Sequence, residues 1–133
     1  MLIRVGMEED PGKRYTAWAL DFPGCFANGN DQAEALLALP RKLLEFDYWV
    51  RLHTDQPWFH LDGLDMHIDE TYKVARVNLQ GEEYEINAFF RDDLRPLTDR
   101  DVDQALQVLH WQQEELLAGL EFVNEDRLNQ IEV

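Results

Sequence analysis

The spacing of apolar residues changes along the first fifty positions, and each change marks an element. MLIRVGMEE (1–9) alternates loosely and is rich in aliphatic side chains, which predicts a first strand. DPGK (10–13) is turn chemistry, because proline presets one backbone angle and glycine accepts a positive one. RYTAWALDF then alternates cleanly, with Tyr15, Ala17 and Ala19 on one face and Thr16, Trp18 and Leu20 on the other. The two strands are expected to form a hairpin. Neither face of the second is polar, so both should be covered. After Pro23-Gly24, the short CFANG piece reads as a third strand.

At Asp31 the period lengthens to that of a helix. Asp31 with Glu34 three residues on has capping-box spacing, in which each side chain satisfies an unpaired backbone N–H of the first turn. Leu36, Leu39, Leu43, Phe46 and Val50 step by 3, 4, 3 and 4, a continuous apolar stripe on a helix over 31–53. Leu37, Leu44, Tyr48 and Trp49 are read as a second stripe beside it. That is more apolar surface than one small sheet needs. It predicts a second contact, with the C-terminal segment or with another subunit. Pro40 removes one backbone hydrogen bond and predicts a kink.

Beyond DQPW (55–58) the rhythm is harder to follow. FHLDGLDMHIDETYKVARVNL alternates only in its second half. GEEYEINAFF places Tyr84, Ile86, Ala88 and Phe90 on one face, a strand signal, with Gln80-Gly81 as a hairpin turn. Thr98 is placed to cap a helix over 99–120, with acidic residues in its first turn. Val102, Leu106, Leu109, Leu116 and Leu120 share a face there, and Glu114 and Glu115 lie outside it. NEDRLNQIEV reads as a polar tail or a last short helix.

Charge narrows the class of partner. The chain has 133 residues and a formal net charge of −15. Residues 1–50 carry five Lys/Arg against eight Asp/Glu, a net of −3; residues 51–133 carry seven against nineteen, a net of −12. Such a surface repels phosphate backbones and attracts a basic protein, so a nucleic-acid ligand is disfavoured. The one cysteine forms no internal disulfide, which suits a reducing, cytoplasmic setting. MLIRVGMEED lacks the apolar run of a signal peptide, and no stretch approaches the roughly 20 apolar residues of a membrane span. There is no serine, which removes serine hydrolases from consideration.

Three groups of residues invite a chemical reading. Cys25 follows a Pro-Gly turn, but a reactive thiol needs a nearby base, cation or helix N-terminus, and every histidine lies downstream from His53 on. It reads better as a small apolar residue after a tight turn. His60, Asp62, Asp65, His67, Asp69 and Glu70 form the densest group of metal-ligand types. On an extended chain Asp65, His67 and Asp69 point the same way, and with His60 they are the candidate ligands. The spacing fits neither a calcium loop nor a helical zinc motif, so the opposing reading is a charged edge strand guarded against aggregation. No cofactor is expected. Trp18, Trp49, Trp58 and Trp111 have no interleaved basic residues and read as core or interface.

A hairpin ending in YTAWALDFPGCFANG, followed at once by NDQAEAL and a leucine-rich helix, resembles the HicB antitoxin family. That family's strand ends in Leu-Pro-Gly-Cys, matched here by Phe22-Pro23-Gly24-Cys25. Its Gly-Asp-Thr start to a Glu-Glu-Ala helix is matched by Gly29-Asn30-Asp31 with Glu34-Ala35, where Asp31 replaces a threonine cap. The likeness covers residues 1–53. It implies a partial ribonuclease-H-like fold, a three- or four-stranded sheet on one helix, without nuclease chemistry. It also implies a partner, a small basic toxin of the HicA mRNA-interferase type. Where such antitoxins commonly add a DNA-binding domain, this chain has its most acidic part. LTDRDVDQALQVLHWQQEELLAGLEFVNEDRL is similar to the opening helix of DinB-like four-helix proteins, some of which bind metal through three histidines. The chain stops before the later helices that would supply those histidines, and no metal residue is carried over.

The expected architecture is one α+β domain over 1–133. It comprises a HicB-like core (1–53), with an antiparallel sheet and one long packed helix, and an acidic extension (54–133) with a second hairpin and a C-terminal helix. The expected function is a non-catalytic, antitoxin-like protein-binding module, homo-oligomeric and cytoplasmic. It would use Leu37, Leu44, Tyr48 and Trp49 as its partner or subunit interface. The alternative is a small metal-dependent enzyme, or an accessory to one, built on the cluster at 60–70.

Overall fold

β1 (Leu2–Asp10) and β2 (Arg14–Ala19) form the expected hairpin, antiparallel and in register from Val5 opposite Ala19 to Asp10 opposite Arg14. The turn between them closes through Lys13 N–H on the Asp10 carbonyl, with Gly12 at φ +79. β3 (Phe26–Gly29) pairs antiparallel with β2, and α1 (Gln32–His53) follows at once. Asp31 caps this helix, its carboxylate accepting the Glu34 N–H at 2.8 Å. The approach of β3 to α1 is so close that a Cβ on Gly29 would collide with backbone atoms of Glu34 and Ala35. Glycine is therefore required there for packing.

The computed structural model describes residues 1–123, in two compact units, one over Met1–Arg95 and a second from Pro96. The tail or short helix read at 124–133 lies outside the described residues. Over the described residues the protein is mixed α+β, with six strands in two sheets and a long helix packed on the larger sheet. That sheet runs β3-β2-β1-β4. It is antiparallel over its first three strands. β4 (Asp65–Lys73), from the segment without a clear period, joins β1 parallel, and one extra residue, Asp69, bulges between the pairs Val5/Ile68 and Gly6/Glu70. β4 takes residues 65–73 of the acidic extension into the same sheet as the hairpin.

The core lies between this sheet and α1. Ile3, Val5, Met7, Ala17, Ala19, Cys25 and Ala27 meet Ala35, Leu39 and Leu43, and Leu36 and Phe46 flank them. Complete burial of a Leu or Val is worth roughly 1.5–3 kcal/mol, against about 0.3–0.5 for an exposed helix ion pair such as Arg41–Glu45. Apolar packing, then, holds α1 in place. A second, aromatic patch extends this core: Phe22, Phe46 and Phe59 lie within 4.6–6.4 Å of one another, with Trp49 and Trp58 each 6.1 Å from Phe46.

β5 (Ala75–Leu79) and β6 (Glu82–Ile86) form the second hairpin across Gln80-Gly81. Both turn residues have positive φ, 53 and 82, the signature of the two-residue hairpin turn that matches strand twist. Ala88 and Phe90 do not continue β6 as the alternation predicted. Instead the chain leaves the strand, and Phe90 is buried against the face of the large sheet opposite α1, directly over Gly6. A 3-10 turn over Arg91–Leu94 ends the first unit. In the second, α2 (Asp99–Leu120) begins at a complete capping box, with Thr98 and Asp101 each accepting the other's N–H.

Candidate functional site

The DFPGC stretch is a connection. Phe22 N–H bonds the Ala19 carbonyl, Cys25 N–H bonds the Phe22 carbonyl at 2.7 Å, and Ala19 N–H bonds the Cys25 carbonyl. The loop thus returns the chain from β2 to β3 through three backbone hydrogen bonds of its own. Cys25 is 2 % exposed, and burial pushes its thiol up to about 12, so the nucleophilic thiolate is suppressed at neutral pH.

Of the acidic and histidine side chains of 60–70, Glu70 and Asp69 reach other elements of the first unit. Glu70 accepts the N–H groups of Arg91 and Asp92 at 2.6 and 3.0 Å, fastening the 3-10 turn to β4. Burial alone would raise the Glu70 carboxyl. The two N–H groups and the Arg91 charge outweigh burial, and the carboxyl lies below its ordinary value. Arg4 reaches Asp21 at 2.6 Å and Asp92 at 2.9 Å, with Asp69 3.8 Å away. Asp65 and His67 lie 3.1 Å apart on exposed β4, and His60 is exposed in the preceding loop. Asp69, at the bulge, lies near Arg4, and no group of three His, Cys, Asp or Glu among the described residues is placed to hold a metal ion.

α1 divides the interface candidates. Leu37 is 80 % exposed, Tyr48 68 % and Leu44 55 %, whereas Trp49 is half-buried against Phe46 and His53. The stripe lies opposite the buried one, not beside it. At about 100° per residue, Leu37 and Leu39 are separated by 200° around the helix. Leu52, 63 % exposed, extends the outward face by one turn beyond the four candidates. Its spacing of four from Tyr48 is the signal that identifies it. Arg41 and Glu45, ion-paired at 3.2 Å, and Arg51, paired with Asp47 at 2.9 Å, border this face.

The opposite face of the sheet carries a different surface. Glu8, Arg14, Trp18, Leu20, Pro23 and Phe90 are among the residues lining a cleft of about 340 Å³. Glu8, 6 % exposed, accepts the Trp18 indole N–H at 3.0 Å and lies 3.6 Å from Arg14. Buried Thr16 donates to Asn28 at 2.7 Å, and Asp10 takes the Arg76 guanidinium at 2.5 Å. That hydrogen bond from Arg76 holds the Asp10 carboxyl below its usual range. The polar groups buried here are mutually satisfied, which suits a structural joint between the sheet, the β5–β6 hairpin and the segment carrying Phe90.

No helix among the described residues is long and apolar enough to cross a membrane. Compared with known proteins, the chain matches no family model, no curated protein and no solved structure.

Proposed function

We propose that this protein is a non-catalytic binding module, acting in the cytoplasm, whose α1 docks a small basic protein in the manner of a HicB-type antitoxin. The observation that carries the reading is the row Leu37, Leu44, Tyr48 and Leu52, four large apolar side chains exposed along one side of a helix whose other side is locked in the core. Rigid presentation of such a row lowers the ordering cost of docking. The net charge of −15 favours a basic partner over nucleic acid. The resemblance of residues 1–53 to HicB antitoxins supplies the partner class, and a buried, unionised Cys25 supports a non-catalytic role.

The test is recovery of the tagged protein from lysate of its own source at low and at high salt. A small basic protein retained at low salt and released at high salt is expected, followed by inhibition of its ribonuclease activity in vitro. Leu44→Glu with Tyr48→Glu should abolish capture while the urea midpoint stays unchanged. Tyr48→Ala alone should cost about 2 kcal/mol of binding, roughly thirtyfold, if Tyr48 is a central anchor. Trp49 is left intact because its substitution would disturb the Phe46 cluster. Undiminished capture by the double variant would refute the proposed surface.

A further inference from the structure

We infer that α2 is a self-association helix, pairing in parallel with α2 of a second copy of this chain. Val102, Leu106, Leu109, Gln113, Leu116 and Leu120 recur at spacings of 4, 3, 4, 3 and 4, the heptad seam of a coiled coil. Every apolar member is exposed, from 42 % at Val102 to 63 % at Leu116, while Trp111 on the other side of the helix is buried. The seam is about 27 Å long at 1.5 Å per residue. An uncovered row of this kind calls for a partner.

Charge identifies the occupant. The chain is strongly acidic, yet residues 104–113 contain no Asp, Glu, Lys or Arg. A basic partner finds nothing there to attract it, and an identical acidic copy meets no repulsion. In a parallel pair Asp103 is the one acidic residue flanking the seam, and it would face Thr98 of the other copy. Ala105 would face His110, and Gln112 would face Leu117, of the other copy. The glutamates 114, 115 and 121 fall outside these flanks.

Gln113 sets the direction. In a parallel pair its amide meets the same amide of the second helix, and each can donate to the other. In an antiparallel pair centred on the seam it would lie against Leu109 and lose those partners on burial. The seam is short for a free-standing coiled coil, so the association is concentration-dependent. This inference does not depend on what binds α1.

Light scattering and sedimentation of the full chain over a concentration series should show a monomer passing to a dimer. Leu106→Glu with Leu116→Glu should remain monomeric throughout with an unchanged urea midpoint. A monomer at every concentration of the unmodified chain, a higher oligomer, or a dimer that survives both substitutions would overturn the assignment. Val102→Cys, oxidised at concentrations where the dimer forms, reads direction separately. Two parallel helices place this position beside itself, whereas antiparallel ones separate it by the seam's length. A disulfide-linked dimer is expected, and its absence in a proven dimer would overturn the parallel arrangement. Native Cys25, at 2 % exposure, does not compete.

Discussion

Gly6→Ala tests how Phe90 is held on the sheet. A Cβ built on Gly6 would stand 2.7 Å from Phe90 Cζ, 2.8 Å from Cε1 and 2.9 Å from Leu20 Cδ2, all inside contact distance. Phe90 is only 6 % exposed, so its ring has little freedom to withdraw without uncovering the sheet. Overpacking by one methyl in such a site costs about 1–3 kcal/mol. Replacing a strand glycine returns about 0.5–1 kcal/mol through backbone entropy. The net expectation is a loss of about 1–2 kcal/mol, which at a urea slope of about 2 kcal/mol/M moves the midpoint down by roughly 0.5–1 M. The diagnostic measurement is a double-mutant cycle. Phe90→Ala alone should cost about 3–5 kcal/mol. In that background Gly6→Ala loses its two closest clashes, leaving only the flexible end of Leu20, and should become neutral or stabilising. A coupling of at least about 1 kcal/mol is expected. Additive effects would show that Gly6 is not where Phe90 rests, and the reasoning would fail.

Two titratable groups tie the stability of the fold to pH. The Cys25 thiol is raised to about 12 in the folded chain against an ordinary value of 9.0, so the folded state favours the protonated form. Its contribution is complete below pH 9 and is lost as the pH rises toward 12; urea midpoints should fall across that window, and Cys25→Ala should flatten that part of the profile. Glu70 is shifted the other way, so its contribution is present above the ordinary carboxylate range and disappears as acid protonates it. Glu70→Gln should weaken the exchange protection of the Arg91 and Asp92 amides at neutral pH and reduce its dependence on acid, and unchanged protection would discard the anchoring role.

How much of this could be read beforehand depends on whether the determining contacts were local. The DPGK and Gln80-Gly81 turns, the Asp31 and Thr98 caps and both long helices follow from residues within four positions of one another, and they were legible. β4 was not, because what makes DMHIDETYK a strand is its hydrogen bonding to β1 across some sixty residues, with a bulge at Asp69 breaking the alternation. Phe90 illustrates the same limit, since alternation assigned it to β6 while a glycine 84 positions earlier determined where it rests. Among 27 carboxylates nothing local marks out Glu70, which accepts two backbone N–H groups. On the outward face of α1, Leu37, Leu44 and Tyr48 are legible as an excess of apolar surface, and the helical step of about 100° per residue separates Trp49 from them and places Leu52 beside them.

The placing of β1 has a consequence for how the chain comes to be folded. β1 sits inside the sheet, yet one neighbour arrives within a few residues and the other only after α1 has been made. During synthesis, therefore, the strand carrying Ile3, Val5 and Met7 presents an open hydrogen-bonding edge until residues beyond 65 have emerged. Late, long-range closure is slow, and an uncapped apolar edge is a template for pairing with other chains. A fragment ending at residue 53, although it holds three strands and the helix, would keep that edge permanently. The stretch carrying the resemblance would thus present by itself an edge that β4 covers in the whole chain.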